Sequence, residues 1–77
     1  MKVGHRETVR RSLKALRASA GLSQLDVAER IGVPEKRYWR IENGYDDPKP
    51  GEVAKLAKTL KVAEDTLPFP AAMEQAS

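Results

Sequence analysis

Near the middle of the chain, Glu35, Lys36, Trp39 and Arg40 occur in the run EKRYWR, at spacings that place them on one face of a short helix while Tyr38 and Ile41 fall on the other. Such a set can read the edges of nucleic-acid bases. A guanidinium bonds the O6 and N7 of guanine through two parallel hydrogen bonds, which makes Arg40 the leading candidate; Lys36 can act similarly with less directionality. For both, the alternative is pairing with phosphate, which positions a protein without selecting a sequence. Glu35 is repelled by phosphate unless it meets a donor such as the exocyclic amine of cytosine; otherwise it complements the positive end of the helix dipole. Trp39 is costly to expose and suits a thymine methyl, a sugar or a protein contact.

Presenting that face requires a second short helix braced against the first. Residues 23–44, SQLDVAERIGVPEKRYWRIENG, carry the means. Ser23 can accept a hydrogen bond from a first-turn N–H, so it opens a helix to Ile31 with Val27, Ala28 and Ile31 on one stripe. Gly32 supplies the left-handed conformation that ends it. Val33 packs inward, and Pro34 pre-sets a helical φ ahead of a second helix from Glu35 to Asn43, which Gly44 stops. Two helices and a turn of this length have the layout of a DNA-reading element.

Apolar periodicity places further helices around this pair. Val9, Leu13, Leu16 and Ala20 recur at four, three and four between Thr8 and Ala20, and Val53, Leu56, Ala57 and Leu60 form a stripe between Glu52 and Lys61. Glu64 to Leu67 forms a last helical turn that Pro68 and Pro70 keep short. The expected fold is all-α, a compact five-helix bundle. Residues 1–7 form a flexible N-terminal arm, 8–68 the DNA-binding domain and 69–77 a short tail. Leu67, Phe69 and Met73 are apolar residues that such a tail cannot bury by itself, which motivates a homodimer.

A chain of 77 residues holds one small domain, too small for a deep substrate cleft with its own walls, so an enzyme is a poor reading. There is no cysteine, and the sole histidine, His5, has no second ligand or nucleophile at a useful spacing; no cofactor or metal is expected. No apolar run approaches the roughly 18 residues of a membrane span. The basic start is not followed by an apolar signal segment, so a cytoplasmic, nucleoid-associated location is expected. Net charge is +3, but residues 1–40 hold ten Lys or Arg against four acids, and residues 41–77 hold four against seven. One side of the fold is therefore expected to be basic, as double-stranded DNA favours, although surface helices of any protein are laced with charge.

Arg17, Leu22-Ser23-Gln24, Val27-Ala28, Gly32-Val33, Ile41-Glu42, Gly44 and Pro48 together resemble the Cro and phage-repressor-like helix-turn-helix family, over about residues 9–67. The resemblance implies a small domain of the lambda-repressor-like type, with the helix from Glu35 to Asn43 in the major groove and usually a dimer. It implies that Gln24 touches the phosphate backbone, where a helix N-terminus favours an anion. Ser23 and Lys49 join it from flanking loops, with Arg17, Arg37 and Asn43 as further phosphate contacts. Arg17 and Glu42 match an ion bridge between the first and third helices. The implied function is a sequence-specific transcription regulator, a repressor on a two-fold symmetric operator. The alternative is an antitoxin or other protein-interaction module anchored at Trp39, with a protein as its main partner and DNA autoregulation secondary. Three departures stand out. Pro34 replaces a capping hydroxyl, Tyr38 replaces a β-branched aliphatic residue and so needs a partner for its hydroxyl, and Lys61 stands where a glycine is common, so a differently built turn is expected there.

Overall fold

Ser23 opens α2 (Gln24–Ile31) through a reciprocal pair: its hydroxyl accepts the Asp26 N–H at 3.0 Å while its own N–H donates to the Asp26 carboxylate at 2.9 Å. Two otherwise unmet donors of the helix start are satisfied at once. Those Ser23 groups, the backbone N–H first, hold the Asp26 carboxyl below its usual range. Gly32, at φ 77°, ends the helix in the left-handed region and lets the Val33 N–H reach the Ala28 carbonyl at 3.0 Å. Pro34, at φ −61°, then starts α3 (Glu35–Glu42) without a side-chain cap.

The computed structural model describes the backbone of residues 2–69 and the side chains of residues 6–69, and all regular structure among them is helical. α1 (Lys2–Ala20) packs on α3 and on α4 (Pro50–Leu60), and α2 packs on α3 and α4. The core between them is formed by Val9 and Leu13 of α1, Val27, Ala28 and Ile31 of α2, Tyr38 and Ile41 of α3, and Val53, Leu56, Ala57 and Leu60 of α4. Leu16, Ala20, Leu22 and Val33 are half-buried at its margin. α4 starts at Pro50, with the Glu52 carboxylate accepting the Lys49 N–H at 2.9 Å.

Three expectations change. Among the described residues there are four α-helices rather than five; the fifth element is a single 3₁₀ turn, Glu64–Thr66. Leu67 is already extended at φ −75°, ψ 142°, as a residue before proline tends to be, so the turn cannot lengthen. Helix α1 begins at Lys2, so residues 2–7, read as an arm, are helical. Arg6 rests against Gly44 and Tyr45 beyond α3, a tertiary contact that apolar periodicity cannot reveal. Leu67 and Phe69 are each 1% exposed, folded into the core, so they offer no apolar surface for a second copy. Met73 lies outside the described residues.

All four α-helices end in a left-handed residue followed by a tight backbone bond to the preceding turn; three of these residues are glycines and the fourth is Lys61, at φ 60°. The turn after α4 is thus built as it would be with glycine, with a lysine forced into the same conformation. Lys61→Gly is expected to raise stability by about 0.5–1 kcal/mol, the left-handed cost less the entropy that glycine loses on folding. A melting temperature that fails to rise would contradict this.

Candidate nucleic-acid interface

The exposed face of α3 stands on a buried charge. Glu42, the last residue of α3, is fully buried, and it accepts Arg17 Nε at 2.8 Å, Arg17 Nη2 at 3.1 Å and Gln24 Nε2 at 2.9 Å. Arg17 Nη1 also donates to the Leu22 carbonyl at 3.1 Å. One carboxylate thereby ties α1, α2 and α3 together. Burial pushes the Glu42 carboxyl upward, but the Arg17 fork and the Gln24 amide outweigh it and hold the group below its usual range. Tyr38 fills the core beside this pair. Its hydroxyl is buried and makes no hydrogen bond of ordinary geometry, although it lies near enough to Glu42 that burial and the carboxylate together push its ionisation upward.

Above this base, Glu35, Lys36, Trp39 and Arg40 line one open groove together with Gln24. The four side chains proposed from spacing therefore share a surface, and the first residue of α2 borders it. Trp39 is 46% exposed, and its ring stacks on Tyr45 with centroids 5.7 Å apart and planes 11° from parallel. The Arg6 guanidinium also lies over the Tyr45 ring, 4.9 Å from its centroid. Gly44 permits this approach: at φ 82°, any Cβ there would meet the Arg6 Cα at 3.0 Å. Arg40 is held from the loop, its Nε donating to Asp46 Oδ2 at 2.9 Å, and Asp46 raises its proton affinity further.

The residues expected at phosphate divide into two groups. Ser23, Gln24 and Lys49 sit at the starts of α2 and α4, where the helix dipole favours an anion, although the Gln24 amide is engaged with Glu42 and the N–H groups of Ser23, Asp26 and Lys49 are met within the caps. Arg17 and Arg37 are engaged within the fold. Arg17 is 19% exposed and bound to Glu42; Arg37 Nη1 donates to Glu52 at 2.6 Å and so links α3 to α4. Asn43 turns back on its own helix, with Nδ2 donating to the Trp39 carbonyl at 2.9 Å.

Not among the sequence-based expectations are Asp26, Tyr45, Asp46, the pairing of Glu52 with Arg37 and the stacking role of Arg6. Asp26 had a signal in the Ser-x-x-Asp spacing of a helix start. Tyr45 and Asp46 had none, because only the Gly44 turn brings them back over α3.

Among the described residues, no helix is long and apolar enough to cross a membrane, and no group of three or more His, Cys, Asp or Glu could hold a metal ion. Two short helices across a left-handed glycine, the second with its charged and aromatic face open, define a helix-turn-helix protein. The sequence agrees: residues 13–67 match the family model described as helix-turn-helix, and the chain belongs to this family, of the Cro/C1 type. Proteins of this kind are DNA-binding transcription regulators. No curated protein matches the chain. The match leaves out residues 2–12 of α1, which include Arg6.

Proposed function

We propose that the chain is a sequence-specific repressor that lays α3 in the major groove of a two-fold symmetric operator and blocks access to it. The observation that carries this reading is the convergence of Glu35, Lys36, Trp39 and Arg40 with Gln24 on one open groove. Arg40 and Lys36 select bases, Glu35 rejects sequences that offer it no donor, and Trp39 contacts a thymine methyl or sugar. Ser23, Gln24 and Lys49 grip the backbone on either side. A single eight-residue helix reaches only a few base pairs, so an operator of useful specificity takes two copies on half-sites about one helical turn apart.

Selection of bound sequences from a random duplex pool, followed by affinity measured over a salt series, tests the proposal. The expected outcome is a palindromic motif with a guanine opposite Arg40. A binder acting only through charge would yield no motif and a steep salt slope. Sedimentation on the recovered duplex should show two chains per operator; one chain per operator would remove the symmetric reading.

The exposed Trp39–Tyr45 pair favours a second reading, a protein-binding module of the antitoxin type. Under it, Trp39→Ala abolishes partner binding with little change in DNA affinity; under the first, it weakens operator binding.

A further inference from the structure

Arg40 rises from an exposed face of α3, where a long side chain ordinarily samples many rotamers, yet its guanidinium is paired with a carboxylate of its own fold. Asp46, six residues on, accepts Nε at 2.9 Å and, more loosely, Nη2 at 3.5 Å. The carboxylate is itself on a pinned segment. The N–H groups of Tyr45 and Asp46 both donate to the Arg40 carbonyl, at 2.8 and 3.2 Å, Gly44 supplies the left-handed turn, and the Tyr45 ring is stacked on Trp39. Backbone and side chain of residue 40 are closed into one ring through residues 44–46.

A carboxylate on the Nε side of a guanidinium leaves the far edge open, and that edge, Nη1 with the outer N–H of Nη2, is the fork that meets O6 and N7 of guanine together. We propose that Asp46 is a positioning residue for base reading, holding Arg40 so that its end-on fork faces the groove and its charge is kept from indiscriminate phosphate pairing. Two effects follow from one contact. Arg40 loses less rotamer freedom when it binds its base, and the negative charge beside it weakens attachment to DNA that lacks the right base. Asp46 thus sets the ratio of specific to non-specific binding without touching a base. The inference rests on the reading of Arg40 as a base-reading residue.

The test compares the wild type, Asp46→Asn, Arg40→Ala and the double variant on the duplex recovered by selection, on the same duplex with each guanine pair replaced in turn, and on random-sequence duplex. Asp46→Asn keeps the shape of the side chain and removes its charge. It should lower discrimination at one guanine pair by roughly ten-fold, within the range for a forked contact, while affinity for random duplex rises. Arg40→Ala should abolish preference at the same pair, and the double variant should match Arg40→Ala, since Asp46 acts only through that side chain. If Asp46→Asn raises affinity equally for every duplex while Arg40→Ala still removes the preference, Asp46 is a surface charge alone; the inference is overturned and the reading of Arg40 stands. If Arg40→Ala leaves every preference intact, both fall.

Discussion

Arg17→Met is expected to lower stability by about 3–5 kcal/mol at neutral pH, the usual effect of leaving one member of a buried pair behind. Glu42 has no exposed surface and would retain only the Gln24 amide. A domain of this length is stable by roughly 4–12 kcal/mol in all, so the melting temperature should fall by tens of degrees. Glu42→Gln should be milder: the partner it strands, Arg17, is 19% exposed and can be hydrated, and glutamine still offers an oxygen. Replacing both residues with apolar ones, Arg17→Met with Glu42→Leu, should recover most of the loss, because it removes the stranded charge as well as the pair.

The pH dependence separates charge from packing. In the wild type the Glu42 carboxyl is held below the ordinary value of 4.5, so its contribution is present above about that pH and is lost as pH falls through the lower folded value. Asp26 and Glu52 are shifted in the same direction, Glu52 because Arg37 and the Lys49 N–H outweigh its burial. The wild type therefore weakens on acidification. Without Arg17, burial of Glu42 is poorly opposed and its carboxyl rises above the unfolded value, so the variant should gain stability relative to the wild type between pH 7 and pH 5. Denaturant melts of both proteins at these two pH values check the sign; parallel behaviour would show that the charge of the pair is irrelevant.

Arg40→Ala is expected to weaken operator binding by about 1–3 kcal/mol and to relax selection at one base pair. Lys49→Ala provides the contrast. A phosphate contact carries no sequence information, so its loss should weaken every duplex alike and reduce the salt slope by about one. Titrations of the selected duplex and a scrambled one over a salt series distinguish the two patterns. Equal weakening of both duplexes by Arg40→Ala would place Arg40 among the phosphate contacts.

The parts of this protein that were legible in its sequence are those set within a few residues. Ser23 caps its own first turn, Gly32 takes its own left-handed angle, and the stripes of Val27, Ala28 and Ile31 or Val53, Leu56 and Leu60 face inward because a helix turns every 3.6 residues. The four residues proposed to read bases were found for the same reason: their shared face is a property of one helix. Where the structure departs from these local signals, a distant segment intervenes. Arg6 of α1 meets Gly44 and Tyr45 beyond α3, and Phe69 is buried where the chain after the 3₁₀ turn runs back into the core.

Arg40 shows where the division falls. Its type and its place on α3 were determined by sequence, and they make it suited to guanine. What the side chain rests on was decided only by the fold, because Asp46 and Tyr45 reach it after a left-handed turn whose path local propensity does not specify. Glu42 shows the same limit. Resemblance paired it with Arg17, but only packing of α1, α2 and α3 around one point removes that carboxylate from water, and its removal from water gives the pair its weight.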